Sequence, residues 1–546
     1  MSGGADAGAA PPDTSVYGLY LAGQAAMDSG DSRAAAELFG RASQKTPDAG
    51  YLRDRVFTTA LMSGDVAKAA ALAPQLDASE SGARVIGALT RSVEALSNGR
   101  NEEAYQALEK AGDISRADPA APLLKPWTAA AAGHTEASIA VPVLRDRVTR
   151  LVAQIDQGLL MERAHRYAEA ETAFKALLAD HAAMPLVAAA YGPFLERRGR
   201  RQEAIALYDQ VLAANSDNPE AVQSRARAVA KAPAPPEPTP REGAARALLI
   251  PAALVIADKE QELGLVYLRL ILRLDPGQSE AWMLLGDTLG GLNDVPGARE
   301  AYGHVSVKSG HYVEARTRLA WSWQNEDKDQ ALKIAQETVQ QQPTSEDAKI
   351  SLADLLRADE KFDESAKVLD PLIASAGGHA EWRLYYMRGV ALERAGHWPE
   401  AERDLQQALA ERPNSPEVLN YLGYSWVNRG THVKDGLAMI EKALLAQPDE
   451  GAYVDSLGWA YFQLGEYQKA LEYLERAATL DAGDAEINDH LGDLYWRLGR
   501  KDEAKFQWRA VLTFNPPAEI KARVETKLAS PDGLDALTKS QAVARK

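Results

Sequence analysis

The sequence predicts an all-α protein, a right-handed superhelical solenoid of about thirteen helix-turn-helix hairpins arranged in two arrays. Three observations predict it. A period of 34 residues runs almost without gaps from Val16 to Ala518. Within each period, small residues recur at positions 8, 20 and 27, and large apolar ones at 4, 11 and 24. Helix-breaking residues recur at two further positions, glycine at 15 and proline at 32. Positions 4, 7, 8 and 11 share one face of a first helix, because residues three or four apart are neighbours. Positions 20, 24 and 27 do the same on a second helix. Glycine at 15 ends the first helix in a left-handed conformation, and proline at 32 stops the second because it has no amide to donate. One such hairpin cannot bury its apolar face alone, so neighbours must stack.

Taken in order, Gly30, Ala35, Phe39, Ala42 and Pro47 define the first hairpin, Gly64 and Ala69 the second, and Gly99 and Ala104 the third. Between Asp118 and Thr149 the pattern is degenerate, though the composition stays helical. Gly158, Ala170 and Phe174 resume it, followed by Gly192, Gly199, Ala204 and Tyr208. A hairpin from Ala245 carries Ile271 and Pro276, and one from Ser279 carries Trp282, Gly286, Ala298 and Tyr302. Weaker hairpins from Tyr312 and Glu346 keep Ala331, Pro343, Leu352 and Leu369 in place. From Trp382 the register is firm, with Gly389, Gly396, Trp398, Ala401, Leu405, Ala408 and Pro413. From Gly451 it gives Gly458, Tyr461, Gly465, Tyr467, Ala470, Leu474 and Ala477, and from Ala485 it gives Gly492, Tyr495, Gly499, Ala504, Trp508, Val511 and Pro516. This pattern resembles the tetratricopeptide repeat over nearly the whole chain.

Two breaks interrupt the period. Residues 231–240 read KAPAPPEPTP, a polyproline-type run that cannot be helical. It sets a linker over 231–244 between an N-terminal array (16–230, degenerate near 118–150) and a C-terminal array (245–518). It reads either as a surface loop or as a hinge, with an ordered loop of some hinge freedom favoured. The second break is Gly377-Gly378-His379. At the C-terminal end, Ile520, Val524 and Leu528 recur every four residues, which predicts a capping helix over 519–529. Residues 1–15 read as a flexible leader and 530–546 as a tail.

Composition narrows the function. A net charge of −16 argues against nucleic acid as the main partner. The best basic patch, Glu196-Arg197-Arg198-Gly199-Arg200-Arg201, falls at an interhelix turn and reads as a solvated loop. With no cysteine there is no disulfide, thiolate metal site or cysteine nucleophile. The start has no apolar core of a secretion signal. The longest apolar run, Ala247 to Ala257, contains Pro251 and is too short to span a membrane. No phosphate loop, zinc-binding histidine pair or nucleophile elbow is present. His165, His397 and His432 sit at or near turns. The expectation is a non-enzymatic protein with no cofactor and no metal.

Recognition is then the expected role. In the repeat family, positions 5, 9 and 12 of the first helix line the concave wall where ligands usually bind. Here they read Tyr386; Asn420 and Tyr424; Asp455, Trp459 and Phe462; and Asp489, Asp493 and Trp496. Aromatics beside acids, with no lysine, suit an extended peptide carrying apolar and basic side chains. The aromatics divide evenly between a groove role and packing between repeats, while Asn420, Asp455 and Asp489 are expected to face the groove. Family members that clamp acidic chaperone tails use basic residues at these positions, which this chain lacks. The segments NYLGYSWVNRG (420–430), DSLGWAYFQLGEYQKALEYLERA (455–477) and DHLGDLYWRLGRKDEAKFQWRAVL (489–512) resemble Gram-negative envelope lipoproteins of this repeat class. Those relatives act as adaptors of a carboxyl-terminal processing protease. The resemblance implies an adaptor with that protease among its partners, and a periplasmic or membrane-peripheral location if the start is a processed end, otherwise a cytoplasmic one. The alternative is an assembly factor of an envelope or polysaccharide-export complex that acts through self-association. The oligomeric state stays open.

Overall fold

A computed structural model describes residues 15–73, 81–111, 118–375, 377 and 380–536. Among these, every regular element is helical. Gly378 and His379, most of the leader and the end of the tail lie outside the described residues. The chain divides into two compact units, Met1–Pro343 and Thr344–Lys546.

The hairpins form for the reasons the period gives. Position 8 is glycine because position 24 of the same hairpin fills its space. A methyl group at Gly286 would lie 2.3 Å from the ring of Tyr302, at Gly458 2.7 Å from Leu474, and at Gly492 2.5 Å from the indole nitrogen of Trp508. The two helices therefore touch backbone to side chain, at interior packing density. Position 15 turns the chain. Gly30, Gly64, Gly99, Gly199, Gly396, Gly465 and Gly499 all have positive φ. The amides of Gly30 and Asp31 return to the carbonyls of Met27 and Ala26, which closes the first helix. The next residue then opens the second helix. Asp31 and Asp65 accept from the amides of Ala34 (2.8 Å) and Lys68 (3.0 Å), satisfying amides that have no partner within the helix.

In the first unit the degenerate stretch is a hairpin with a stunted second half. Helix Ala120–Ala132 ends at Gly133 in the left-handed region, and its partner, Thr135–Ser138, is a single turn. Residues 139–146 then run irregularly to helix Arg147–Arg163. The physical reason for the lost pattern lies further along the chain. Helices Pro240–Ala247, Leu249–Ala257 and Gln261–Leu274 pack against the first helices Gly50–Ser63, Ser81–Ser97, Ala120–Ala132 and Arg147–Arg163. The surface that a repeat array normally leaves free is filled here by the chain itself. Leu265, Leu268, Leu270 and Ile271 are fully buried. Gly243 meets Trp127 so closely that an added methyl would lie 2.2 Å from its ring. Arg273 pairs with Glu94 at 2.8 Å, Arg269 donates to the carbonyl of Met62 at 3.0 Å, and the Tyr267 hydroxyl donates to Asp118.

The proline-rich run lies inside the first unit and not at the boundary between the two. Arg197 and Arg201 donate to the carbonyls of Pro235 (2.9 Å) and Ala232 (2.8 Å). The arginine cluster that reads as a solvated loop thus holds this run in place: Arg197 also pairs with Glu162, Arg200 with Glu171 and Glu203, and Arg198 covers the ring of Tyr167. The run ends sooner than the expected 244. Thr239 and Glu242 form a reciprocal capping box, and Pro240 occupies the first turn of helix Pro240–Ala247.

The second unit holds the regular hairpins from Glu346 to Val511 and the helix Ala518–Ala529. Its first helices Pro416–Asn428, Gly451–Gln463 and Ala485–Arg497 pack directly on one another. Their side is therefore the shorter, inner wall of this unit. Val524 of the last helix is buried, with Ile520 and Leu528 partly buried beside it, so the expected apolar face does meet the final hairpin.

Candidate binding wall of the second unit

The predicted recognition stripe lies on the inner wall, and the structure sorts it into an open part and a closed part. The open part begins at Trp382, whose ring centroid is 6.3 Å from that of Tyr386; Tyr386 in turn meets Tyr421 edge-on at 5.9 Å. Tyr386, Asn420, Tyr424 and Phe462 are half-buried. Burial raises the Tyr386 phenol above its ordinary value, and Glu417 adds to the shift. The Tyr424 hydroxyl donates to Glu486 at 3.0 Å, reaching past one first helix to the next. Burial and the nearby Glu486 and Asp455 hold this phenol well above its usual range.

The closed part contains Asp455, Trp459, Asp489, Asp493 and Trp496, all buried. Asp455 lies 2.9 Å from Nδ1 of His490. Burial alone would lower the histidine, but the adjacent Asp455 carboxylate outweighs it and the imidazole is raised. Trp459 stacks on His490 at 3.9 Å and on Phe462 at 4.7 Å, and its indole donates to Asn428 at 3.2 Å. Asp489 accepts from Lys527 at 2.7 Å and Arg523 at 2.8 Å. Asp493 accepts from Lys527 at 2.5 Å and from the Trp508 indole at 3.0 Å. Burial pushes Asp493 up to about 6 despite the lysine. Trp496 packs on Trp508 at 5.5 Å and lies against Gly533.

The expectation that Asp455 and Asp489 face an open groove is therefore corrected, and so is the electrostatic reading built on them. Asp455, Asp489 and Asp493 carry no free charge toward a ligand, because His490, Arg523 and Lys527 neutralise them from inside. Lys527 is fully buried, and it comes from the capping helix, outside the repeat positions on which the stripe is read. A sequence signal existed: Arg523 and Lys527 are four apart, on the side of the helix that carries Val524 and Leu528. Trp459 packs between repeats and Trp496 between the last hairpin's own Trp508 and Gly533, whereas Phe462 is half-buried.

Among the described residues, no three histidine, aspartate or glutamate side chains converge in a way that would hold a metal ion. No single helix among them is long and apolar enough to cross a membrane. One bent pair, Tyr167–Leu177 with His181–Arg197, reaches that length, but its Phe174, Val187, Tyr191 and Phe194 are buried within the first unit.

Stacked helical hairpins with an aromatic inner wall define a repeat protein of the protein-interaction class. Residues 239–514, about half of the chain, match the tetratricopeptide repeat model, and residues 155–219 match a second model of that repeat. The chain belongs to the tetratricopeptide repeat family. Such repeats imply a protein-interaction scaffold, and the fold is typically non-enzymatic. A TPR repeat-containing protein of Pseudomonas aeruginosa is 34% identical over 110 residues, which is 20% of this chain and 18% of that protein. The CTR9 homolog of Arabidopsis thaliana is 30% identical over 126 residues, 22% of this chain and 12% of that protein. The chain thus spans under a fifth of the length of either relative. Among solved structures, a tetratricopeptide repeat protein from Parabacteroides merdae covers 45% of this chain and 98% of its own, with 15% identity and a TM-score of 0.39. The Cut9–Hcn1 complex of the APC/C covers 93% of this chain and 95% of its own, with 15% identity and a TM-score of 0.37.

Proposed function

We propose that this protein is a non-enzymatic adaptor that holds a partner polypeptide on the inner wall of its second unit. The observation that carries this reading is the run of half-buried aromatic rings from Trp382 through Tyr386 and Tyr421. Large rings with one free edge provide rigid contact area at low entropic cost, which is how interfaces gain most of their energy. The resemblance of residues 420–512 to envelope adaptors of a carboxyl-terminal processing protease makes such a protease, or a substrate delivered to it, the partner to test. A second reading, assembly through self-association, draws on Leu445 and Phe506, which are 81% and 68% exposed on second helices.

One experiment separates the two. Binding of the purified processing protease is measured for the full chain, for Tyr386→Lys and for Phe506→Glu, with light scattering on each. The adaptor reading expects a monomer whose affinity falls about tenfold in Tyr386→Lys, equivalent to about 1.4 kcal/mol, with helicity intact. An oligomer dispersed by Phe506→Glu, with Tyr386→Lys silent, would transfer the function to the outer face.

A further inference from the structure

The proline-rich run of the first unit is an ordered segment with one free side. Residues 232–239 carry no helix, turn or bend between helices Pro219–Val229 and Pro240–Ala247. Pro233, Pro235, Pro236 and Pro238 fix their own φ, and each holds the residue before it in extended backbone. A segment so restricted winds as a polyproline II helix of about three residues per turn. Exposure follows that period. Pro233, Pro236 and Thr239 are exposed, while Ala232, Ala234, Pro235, Glu237 and Pro238 are half-buried. One ridge therefore faces out, and the other two rest on the first unit.

The seat beneath the run is built from the interior. A polyproline II helix makes no internal hydrogen bonds, so its carbonyls are open to outside donors. Arg201 donates to Ala232 at 2.8 Å and Arg197 to Pro235 at 2.9 Å. Arg197 is fixed in turn by Glu162, whose side chain is fully buried. Thr239 then passes the chain into the next helix through its capping box. This seating does not use the exposed rings of Pro233 and Pro236. Lys231, exposed and without an ion pair among the described residues, precedes them. Two proline rings one turn apart, with a free cation beside them, are what an aromatic-lined groove with an acidic rim recognises. The backbone is already held in the bound conformation, so binding loses less freedom than it would with a flexible tail.

We infer that the ridge of Pro233 and Pro236 is a docking site for a partner domain that reads polyproline II. The partner presents aromatic rings that form slots for the two prolines, and carboxylates that face Lys231. Here this chain is the ligand and the partner supplies the groove. The site lies on the first unit and goes beyond the adaptor reading, which concerns the inner wall of the second.

The test titrates the full chain by calorimetry with two purified domains that read polyproline II, an SH3 domain and a WW domain. At least one should bind in the micromolar range. Pro233→Ala/Pro236→Ala should weaken binding about tenfold, whereas Pro235→Ala/Pro238→Ala, which removes as many prolines from the seated sides, should change it less than about twofold. Lys231→Glu should weaken it about threefold at low salt and less at high salt. Pro236→Lys fills one slot with a charged chain and leaves the seat alone, so it reads the ridge even if a double variant melts early. Equal weakening by the two double variants, with Pro236→Lys silent, would overturn the inference, because binding would then follow stiffness and not the ridge. No binding by either domain would overturn it too, and would leave the effect of Tyr386→Lys on protease capture, and with it the adaptor reading, standing. A dimer in light scattering that Pro233→Ala/Pro236→Ala disperses would assign the ridge to a second copy of the chain instead.

Discussion

The first-helix walls of the two units have opposite fates. In the first unit, helices Gly50–Ser63 through Arg147–Arg163 are covered by the chain's own residues 240–274. In the second, the corresponding wall stays open from Trp382 to Tyr424, and only its end is covered, by residues 518–536. The difference explains why the repeat is loose in one place and regular in the other. A wall that receives a fixed intramolecular partner is shaped by that partner, and Trp127, Glu94 and Asp118 serve residues 240–274 instead of the repeat pattern. The open wall of the second unit retains the regular scaffold.

The most direct way to break this comparison is to unseat the internal partner. Gly243→Leu places a side chain where Trp127 already stands, and overpacking of this kind costs about 1–3 kcal/mol or more. Hydrogen exchange should show lost protection over residues 240–274 and 81–163, with the hairpins after Glu346 unchanged. Equal loss in both units would mean that the first unit does not owe its order to this contact.

The covered end of the second unit offers the matching test. Lys527→Met leaves Asp489 and Asp493 buried with one cation fewer, and loss of one partner from a buried ionic cluster costs about 3–5 kcal/mol. Urea unfolding of the second unit should show this loss, and adding Asp493→Asn should recover part of it. A full-strength second unit in Lys527→Met would mean that the aspartates find other neutralisation and are available to ligands after all.

A smaller effect depends on pH. Asp156 is buried with one oxygen unpartnered, and Nη2 of Arg246, 3.9 Å from the other, is unpartnered as well. Burial raises Asp156 to about 7, against the pull of Arg246 and Trp127. The folded state therefore holds this proton more tightly than the unfolded chain does. Its contribution to stability is complete below the unfolded carboxylate range, near 3.9, and is lost as pH rises toward about 7. Asp156→Asn should flatten this part of the first unit's pH profile, seen as a smaller fall in melting temperature between pH 5 and pH 7 than in the parent. An identical slope in both proteins would mean that Asp156 does not titrate there.

How much of this was legible in the sequence follows from what each feature depends on. The hairpins were legible because Gly458 and Leu474, or Gly492 and Trp508, lie sixteen residues apart and meet within one hairpin. The contact of Trp127 with Gly243 spans more than a hundred residues and has no period to betray it. The capping box at Thr239 and Glu242 was visible as a Thr-x-x-Glu spacing, yet the surrounding prolines dominate a reading by composition. On the first-helix wall of the second unit, repeat position picked out Tyr386, Asn420 and Tyr424, which are half-buried. It could not show that Lys527 and Arg523 neutralise the acids, because those cations sit in a helix with no register relation to the stripe.

The smallest expected effect sharpens the comparison at the turns. At most turns the residue that leaves a first helix has positive φ whether or not it is glycine; the turn after helix Tyr312–Trp323 is an exception. His165, Lys259 and Asn293 take this conformation in the first unit and Glu360 does so in the second, whose later turns use Gly396, Gly430, Gly465 and Gly499. A side chain there costs about 1–2 kcal/mol relative to glycine, less for asparagine, offset in part by the greater freedom of glycine in the unfolded chain. Lys259→Gly and Glu360→Gly should each raise stability by about 0.5–1 kcal/mol, and Asn293→Gly by less, read by thermal melting. Lys259 lies in the turn between Leu249–Ala257 and Gln261–Leu274, the helices that fill the first unit's wall. If relieving it stabilises the first unit as much as Glu360→Gly stabilises the second, the two units share one turn design and differ only in what covers their inner walls. If Lys259→Gly destabilises instead, the lysine itself contributes to the seat of that segment, and the specialisation of the first unit extends into its turns.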